Sequence, residues 1–167
     1  MNRHIEHLWA HRSTLFLKIV IIVIVLVALA LCIFAFPNMA KSMLEEFPTL
    51  PNAPYFMSVF YVSAIPFFIG LFYAWKILTY IDKNIAFSDL SVKALRKIKY
   101  LAVIISIILA SGMVWIFPFA QADDAPGAIL MWALIASTPL VVAVFAALLE
   151  KLLRNAIQLQ TENDLTV

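Results

Sequence analysis

Four long stretches of hydrophobic residues, separated by shorter polar segments, dominate the pattern of the chain. They cover residues 14–36, 56–79, 100–120 and 128–149. A bilayer core about 30 Å thick needs roughly 20 mostly apolar helical residues to cross it, and these runs lack the alternation of apolar and polar positions that marks a barrel strand. The pattern predicts an all-α polytopic membrane protein, a bundle of four transmembrane helices that forms a single domain over residues 1–167.

The hydrophobic pattern continues beyond the fourth run. Apolar residues recur at helical spacing over residues 145–157, while Glu150 and Arg154 lie on another face in the order that favours an i, i+4 ion pair. We therefore expect the fourth helix to leave the membrane as an amphipathic cytoplasmic tail, residues 150–167. This tail can pack on the Lys93 region, pair with a second copy or bind a soluble protein. Its last eight residues are polar enough to form a free peptide.

The positive charges indicate the orientation of the bundle. Of the 12 Lys and Arg residues, three lie before or at the start of the first span, six around the second connection and two after the fourth span, which leaves only Lys41 on the other side. Cytoplasmic segments are enriched in Lys and Arg. We predict that both termini are cytoplasmic and that residues 37–55 and 121–127 lie outside. The net charge of +2 is too small to indicate direct nucleic-acid binding.

Two connections carry local signals for helix ends. Pro37 follows the first span and is expected to end its helix, because proline removes a backbone donor. Residues 39–47 then place apolar side chains on one face, which predicts a short helix on the membrane surface. In the cytoplasmic connection, Ser88 is expected to cap a helix that runs directly into the third span.

The composition excludes several classes of enzyme. Hydrophobic residues make up 64% of the chain and charged residues 13%, which agrees with a membrane protein. Three glycines are too few for a phosphate loop or a dinucleotide fingerprint, and the lone Cys32 excludes an intrachain disulfide. The spans contain no Asp, Glu, His or Arg, and Lys76 and Glu150 lie near enough to the edge to extend towards water. We expect neither enzymatic activity nor a bound cofactor.

A possible metal site lies near the N-terminus. His4, His7 and His11 have i, i+3 and i+7 spacing, which places them on one helical face. Imidazoles at this spacing can bind a divalent ion. The alternative is an interfacial helix whose histidines face water, since Leu8 and Trp9 give the segment an apolar side. We favour the alternative and assign no metal site.

Two stretches of the chain resemble a known family. They are Phe87-Ser88 with residues 95–100 in the cytoplasmic connection, and a closing run that contains Phe145, Leu149, Leu152, Asn155-Ala156 and residues 162–167. In these positions the chain resembles the small four-span bacterial membrane family known as domain of unknown function 2975. The resemblance covers most of the chain. It implies a multi-pass protein of the bacterial cytoplasmic (inner) membrane, and members of that family are often encoded beside a very small helix-turn-helix regulator of the Cro/C1 type.

These observations lead to a hypothesis of function. The chain is interpreted as a membrane-embedded interaction or signalling protein that docks such a regulator through its cytoplasmic loop and tail. The candidate docking positions are polar or charged: Lys93, Arg96, Lys97, Arg154, Asn155, Glu162, Asn163 and Asp164. The alternatives are a small homo-oligomeric transporter or exporter, suggested by Pro66 and Pro139 inside the spans, and a structural protein that interacts with membrane lipids.

Overall fold

The described part of the molecule is helical. A computed structural model of the protein describes residues 2–46, 53–122 and 124–165, with side chains for residues 14–45, 57–118, 120–121 and 124–163. Its helices are α1 (Asn2–Ala30), α2 (Phe36–Glu46), α3 (Ala53–Asp82), α4 (Asp89–Ser111), α5 (Met113–Ala122) and α6 (Pro126–Leu165), and a π-helical segment (Leu31–Ala35) joins α1 to α2. The described ranges contain no strand, which confirms the all-α prediction.

Four helical stretches are long and apolar enough to cross a membrane. They are Thr14–Glu45, Met57–Asp82, Asp89–Pro118 and Pro126–Asn163. Each contains one of the predicted spans or nearly all of it, so the prediction of four transmembrane helices is confirmed. Large apolar side chains point outward along them. Phe16, for example, is 65% exposed and Phe34 is 68% exposed. Soluble proteins rarely expose contiguous apolar surface on this scale, so lipid is the natural solvent of these faces.

The bundle is organised around α4. This helix packs along α3 on one side and along α6 on another, whereas α1 packs on α3 and forms no extended interface with α4 or α6 in the described ranges. The short helix α5 packs on α6. The helices α3, α4 and α6 therefore form the central unit, and α1 is attached to its side.

The first helix continues through Pro37, contrary to the prediction that it ends there. The N–H of Phe36 donates to the Leu31 carbonyl five residues earlier, which is π-helical bonding. In the same pattern the Cys32 carbonyl would need the N–H of residue 37, which proline lacks. The hydroxyl of Tyr61 in α3 donates to that carbonyl instead, at 2.9 Å. The predicted separate surface helix is thus wrong, because α2 continues the first span.

The positively charged segments meet at one end of the molecule. Lys18 of α1 forms an ion pair with Asp82 of α3, and Arg96 and Lys99 of α4 bind Glu150 of α6. We call this end of the bundle, which holds these five residues, the basic end. The structure thus gathers the segments that the charge pattern assigns to one side, and the cytoplasmic location of that side stays a prediction.

Trp132 lies at the centre of the core at the other end. Its side chain is almost fully buried, its Nε1 donates to the Leu109 carbonyl at 2.9 Å, and its ring meets the Phe60 ring edge-on at 5.4 Å between centroids. Gly112 lies against this ring, and a Cβ there would be 2.5 Å from Cζ2 of Trp132. The α-helical hydrogen bonding is interrupted at Gly112, so the third predicted span consists of two consecutive helices, α4 and α5.

Candidate functional site at the basic end

A buried carboxylate connects α4 and α6 at the basic end. Glu150 is 6% exposed. It accepts hydrogen bonds from Arg96 Nε at 2.9 Å, Lys99 Nζ at 2.7 Å and Arg154 Nη2 at 3.0 Å. The expectation that Glu150 extends towards water is wrong, because cations of α4 hold it in the helix contact. The i, i+4 pair with Arg154 is confirmed.

An apolar groove runs along one flank of this contact. It has a volume of about 420 Å³ and forms where the end of α3, the α3–α4 connection, the first turns of α4 and the exit of α6 approach each other. Its lining is almost wholly apolar: Ile77, Ile81, Ala86, Phe87, Ser91, Leu95, Leu149, Leu152, Leu153 and Ala156. Most of these residues lie beyond the predicted spans. The groove therefore exposes apolar surface near the boundary between membrane and water.

Ser91 contributes a buried hydroxyl to the groove. Its side chain is 2% exposed, and its Oγ has no hydrogen-bond partner among the residues that the structure describes. The nearby Ser88 begins α4 as predicted, since its carbonyl accepts the N–H groups of Ser91 at 3.0 Å and Val92 at 3.2 Å. The Ser88 hydroxyl makes no capping bond. A buried hydroxyl without a partner carries a desolvation cost.

The structure separates the eight predicted docking residues. Arg96 and Arg154 meet on Glu150. The others with described side chains are exposed: Lys93 and Lys97 on α4, and Asn155, Glu162 and Asn163 on α6. The side chain of Asp164 lies outside the described residues. None of the seven positions with described side chains lines the groove, so sequence analysis missed it.

A signal for the groove was nevertheless present in the sequence. Five residues on which the family resemblance rests line it: Phe87, Leu95, Leu149, Leu152 and Ala156. They come from the α3–α4 connection with the start of α4 and from the exit of the fourth span, which are distant in sequence. The resemblance thus marks two segments that the fold brings to one surface.

The tail and the N-terminal histidines complete the comparison with the sequence predictions. Helix α6 extends to Leu165, so the expectation of a free peptide is wrong for residues 160–165. The side chains of His4, His7 and His11 lie outside the described residues, so the structure tests neither interpretation of this segment. Among the side chains that are described, no three His, Cys, Asp or Glu groups converge in a way that could hold a metal ion.

Two further cavities lie within the spans. One, of about 320 Å³, lies between α3, α4 and α6, and its lining includes Pro66, Gly70 and Pro139. The second, of about 390 Å³, extends to the π-helical segment, and its lining includes Cys32, Ser63 and Pro139. The two share several lining residues, Pro139 among them, and both are almost entirely apolar.

Four apolar spans, an exterior suited to lipid and charges gathered at one end define a small polytopic α-helical membrane protein. The sequence profile of the family described as protein of unknown function (DUF2975) matches residues 9–167, and the chain belongs to this family. It is similar to the uncharacterized membrane protein YoaS of Bacillus subtilis (strain 168), with 51% identity over 156 residues, which is 93% of this chain and 98% of YoaS. No solved structure matches the chain.

Proposed function

We propose that the protein is a membrane-embedded interaction protein without enzymatic activity, which docks a small cytosolic helix-turn-helix regulator at its basic end. The observation that carries this proposal is the apolar groove between the α3–α4 connection and the exit of α6. An amphipathic helix is the natural occupant of such a groove, because it can bury its apolar face there and keep its polar face in water.

The exposed apolar side chains and the positive charge around the groove favour a protein helix as its occupant. Phe87 and Leu152, which line it, are each 64% exposed, so a partner gains apolar contact without displacing core packing. Exposed Lys93 and Lys97 give the same end a positive surface, which favours a partner helix with acidic residues on its polar face.

The proposed mechanism is sequestration and release. A regulator held at the membrane is removed from its target, and a change in bundle packing that alters the groove frees it. For this to operate as a switch, the regulator must bind two states of the bundle with different affinities. The groove is suited to such coupling because its walls belong to three helices, so a shift of α6 against α3 changes its width.

Two matched substitutions on α6 test the proposal. Leu152 and Leu159 are exposed to a similar degree, 64% and 66%, but only Leu152 lines the groove. The full-length protein in lipid nanodiscs is titrated with a purified Cro/C1-type helix-turn-helix regulator of the kind often encoded beside members of the family. Burying one leucine contributes about 1.5–3 kcal/mol, so Leu152→Gln is expected to weaken binding about tenfold or more.

The control variant Leu159→Gln is expected to bind the regulator within about twofold of the unmodified protein, since Leu159 lies outside the groove lining. Equal losses in the two variants would remove the groove from the explanation. Absence of binding by the unmodified protein would reject the regulator as partner. Deletion of residues 160–167 separately tests the tail, and a loss of affinity would assign part of the docking surface to it.

A second candidate function, transport of a small apolar molecule by a homo-oligomer, is favoured by the cavities around Pro66 and Pro139. Their apolar lining suits a hydrophobic substrate, and Ser63 is one of their few hydroxyl groups. Flux of such a substrate in proteoliposomes, blocked by Gly70→Phe in the cavity wall, would support it. Unchanged flux in that variant would reject this path.

A further inference from the structure

The ion-pair cluster at the basic end carries more positive than negative charge. Glu150 is in contact with Arg96, Lys99 and Arg154. One carboxylate balances one of these cations, and Lys151 adds a further positive charge beside them. Among the described side chains, no other carboxylate forms an ion pair with these four cations. The cluster therefore has capacity for a second anion.

A polar pocket beside Glu150 gives that anion a place to bind. It has a volume of about 280 Å³, and its lining consists of Ala147, Glu150 and three cations, Lys99, Lys151 and Arg154. The side chain of Lys99 is 26% exposed and that of Arg154 is 51% exposed, so both keep donors for an added ligand. Each cation offers several N–H groups, of which the bond to Glu150 uses one.

The depth of the pocket in the bundle indicates the kind of anion. Glu150 directly follows the fourth predicted span, residues 128–149, so the pocket lies at the level of lipid headgroups. Further into the membrane on the same two helices, Tyr100, Ile107 and Val144 are 56%, 64% and 59% exposed. A ligand with an anionic head and apolar chains matches both surfaces, whereas a soluble anion matches only the pocket.

We propose that the phosphate of an anionic phospholipid binds in this pocket to Lys99, Lys151 and Arg154, with its acyl chains along α4 and α6. Basic pockets between transmembrane helices on the cytoplasmic side are suited to anionic headgroups. The site differs from the docking groove, because Leu152 and Leu153 line the groove and Lys151 and Arg154 line the pocket.

Charge-matched double variants test this site. In K151Q/R154Q, Arg96 and Lys99 still satisfy Glu150, and two positive charges leave the pocket. The control K93Q/K97Q removes the same charge from exposed positions of α4 outside the pocket. Phosphatidylglycerol and phosphatidylcholine are titrated into each detergent-solubilised full-length protein, and bound lipid is counted by native mass spectrometry.

The unmodified protein is expected to prefer phosphatidylglycerol, and K151Q/R154Q to bind it roughly 10- to 30-fold more weakly, since each Lys or Arg near an anionic headgroup contributes about fivefold. The control is expected to stay within about threefold. The single variant Lys151→Gln leaves all bonds to Glu150 in place, and its affinity for phosphatidylglycerol is expected to fall about fivefold. This variant keeps the proposal testable if the double variant fails to fold.

Three results would overturn the proposal. They are equal affinity for the two lipids in the unmodified protein, equal loss in both double variants, and displacement of phosphatidylglycerol by inorganic phosphate at constant ionic strength. The last would identify a site for a soluble anion. Leu152→Gln is expected to leave lipid binding unchanged, which separates this proposal from the docking of a regulator.

Discussion

The contact between Gly112 and Trp132 makes the substitution Gly112→Ala a sensitive test of the core. The backbone at Gly112 has φ −63° and ψ −17°, which alanine adopts without strain. The added methyl group would instead lie 2.5 Å from Cζ2 of Trp132 and 3.1 Å from the Leu109 carbonyl oxygen. Any loss of stability therefore arises from packing and not from backbone conformation.

The magnitude follows from how firmly Trp132 is held. Its ring is buried, bonded to the Leu109 carbonyl and in contact with Phe60, so it cannot move aside without losing these interactions. Adding a methyl group to a well-packed core typically costs about 1–3 kcal/mol. At Gly70 a Cβ would meet nothing within 4 Å, so Gly70→Ala is expected to be neutral or to stabilise α3 by up to about 1 kcal/mol.

The assay is the free energy of unfolding in mixed detergent micelles, followed by circular dichroism or tryptophan fluorescence. Gly112→Ala is expected to be less stable than Gly70→Ala by at least about 1 kcal/mol. Trp132→Phe removes the ring that the methyl group meets, so the two substitutions together should cost less than the sum of their separate effects. Equal stability of the two alanine variants, or strict additivity with Trp132→Phe, would refute the close contact.

Three further predictions concern the polar contacts. Glu150→Gln leaves the three cations around it without a countercharge and is expected to lower the free energy of unfolding by about 2 kcal/mol. Adding Lys99→Met should restore part of this loss in the same unfolding assay, and no recovery would show that repulsion between the cations is not its cause. Tyr61→Phe removes the hydroxyl that donates to the Cys32 carbonyl and is expected to lower the free energy of unfolding by about 0.5–1 kcal/mol. Amide hydrogen exchange should become faster in the π-helical segment alone, and unchanged exchange there would argue against a role for this bond. Asp82→Asn weakens the pair with Lys18, so the distance distribution between spin labels on α1 and α3 should broaden, whereas an unchanged distribution would show that other contacts hold α1.

The sequence was sufficient to predict the four spans, because the length and hydropathy of a segment largely decide whether it crosses a bilayer. It did not predict that the first helix continues through Pro37 or that the third span is divided at Gly112. A proline ends an α-helix when its missing N–H and its ring cannot be accommodated. Here a π-helical segment accommodates Pro37, and the hydroxyl of Tyr61, which is distant in sequence, donates to the Cys32 carbonyl in place of the missing N–H. No local pattern contains that information.

The candidate site was predictable only in part, for a related reason. The charge pattern indicated that the basic segments share one end of the molecule, and the spacing of Glu150 and Arg154 predicted their ion pair. The burial of Glu150 depends on Arg96 and Lys99 of a different helix, and the groove depends on three segments that meet only after folding. Such features arise from tertiary contacts, which single-sequence periodicity does not encode.

Helix α6 is a single element of 40 residues, about 60 Å long, whereas the hydrocarbon core is about 30 Å thick. From Glu150 to Leu165 it forms an arm of about 24 Å. Transmembrane helices adjust their tilt to bilayer thickness, and a change of about 10° in α6 would displace the end of this arm by about 4 Å. On the predicted topology this arm lies beyond the hydrocarbon core, so we expect a thinner or thicker bilayer to displace Leu165 relative to the Glu150 cluster.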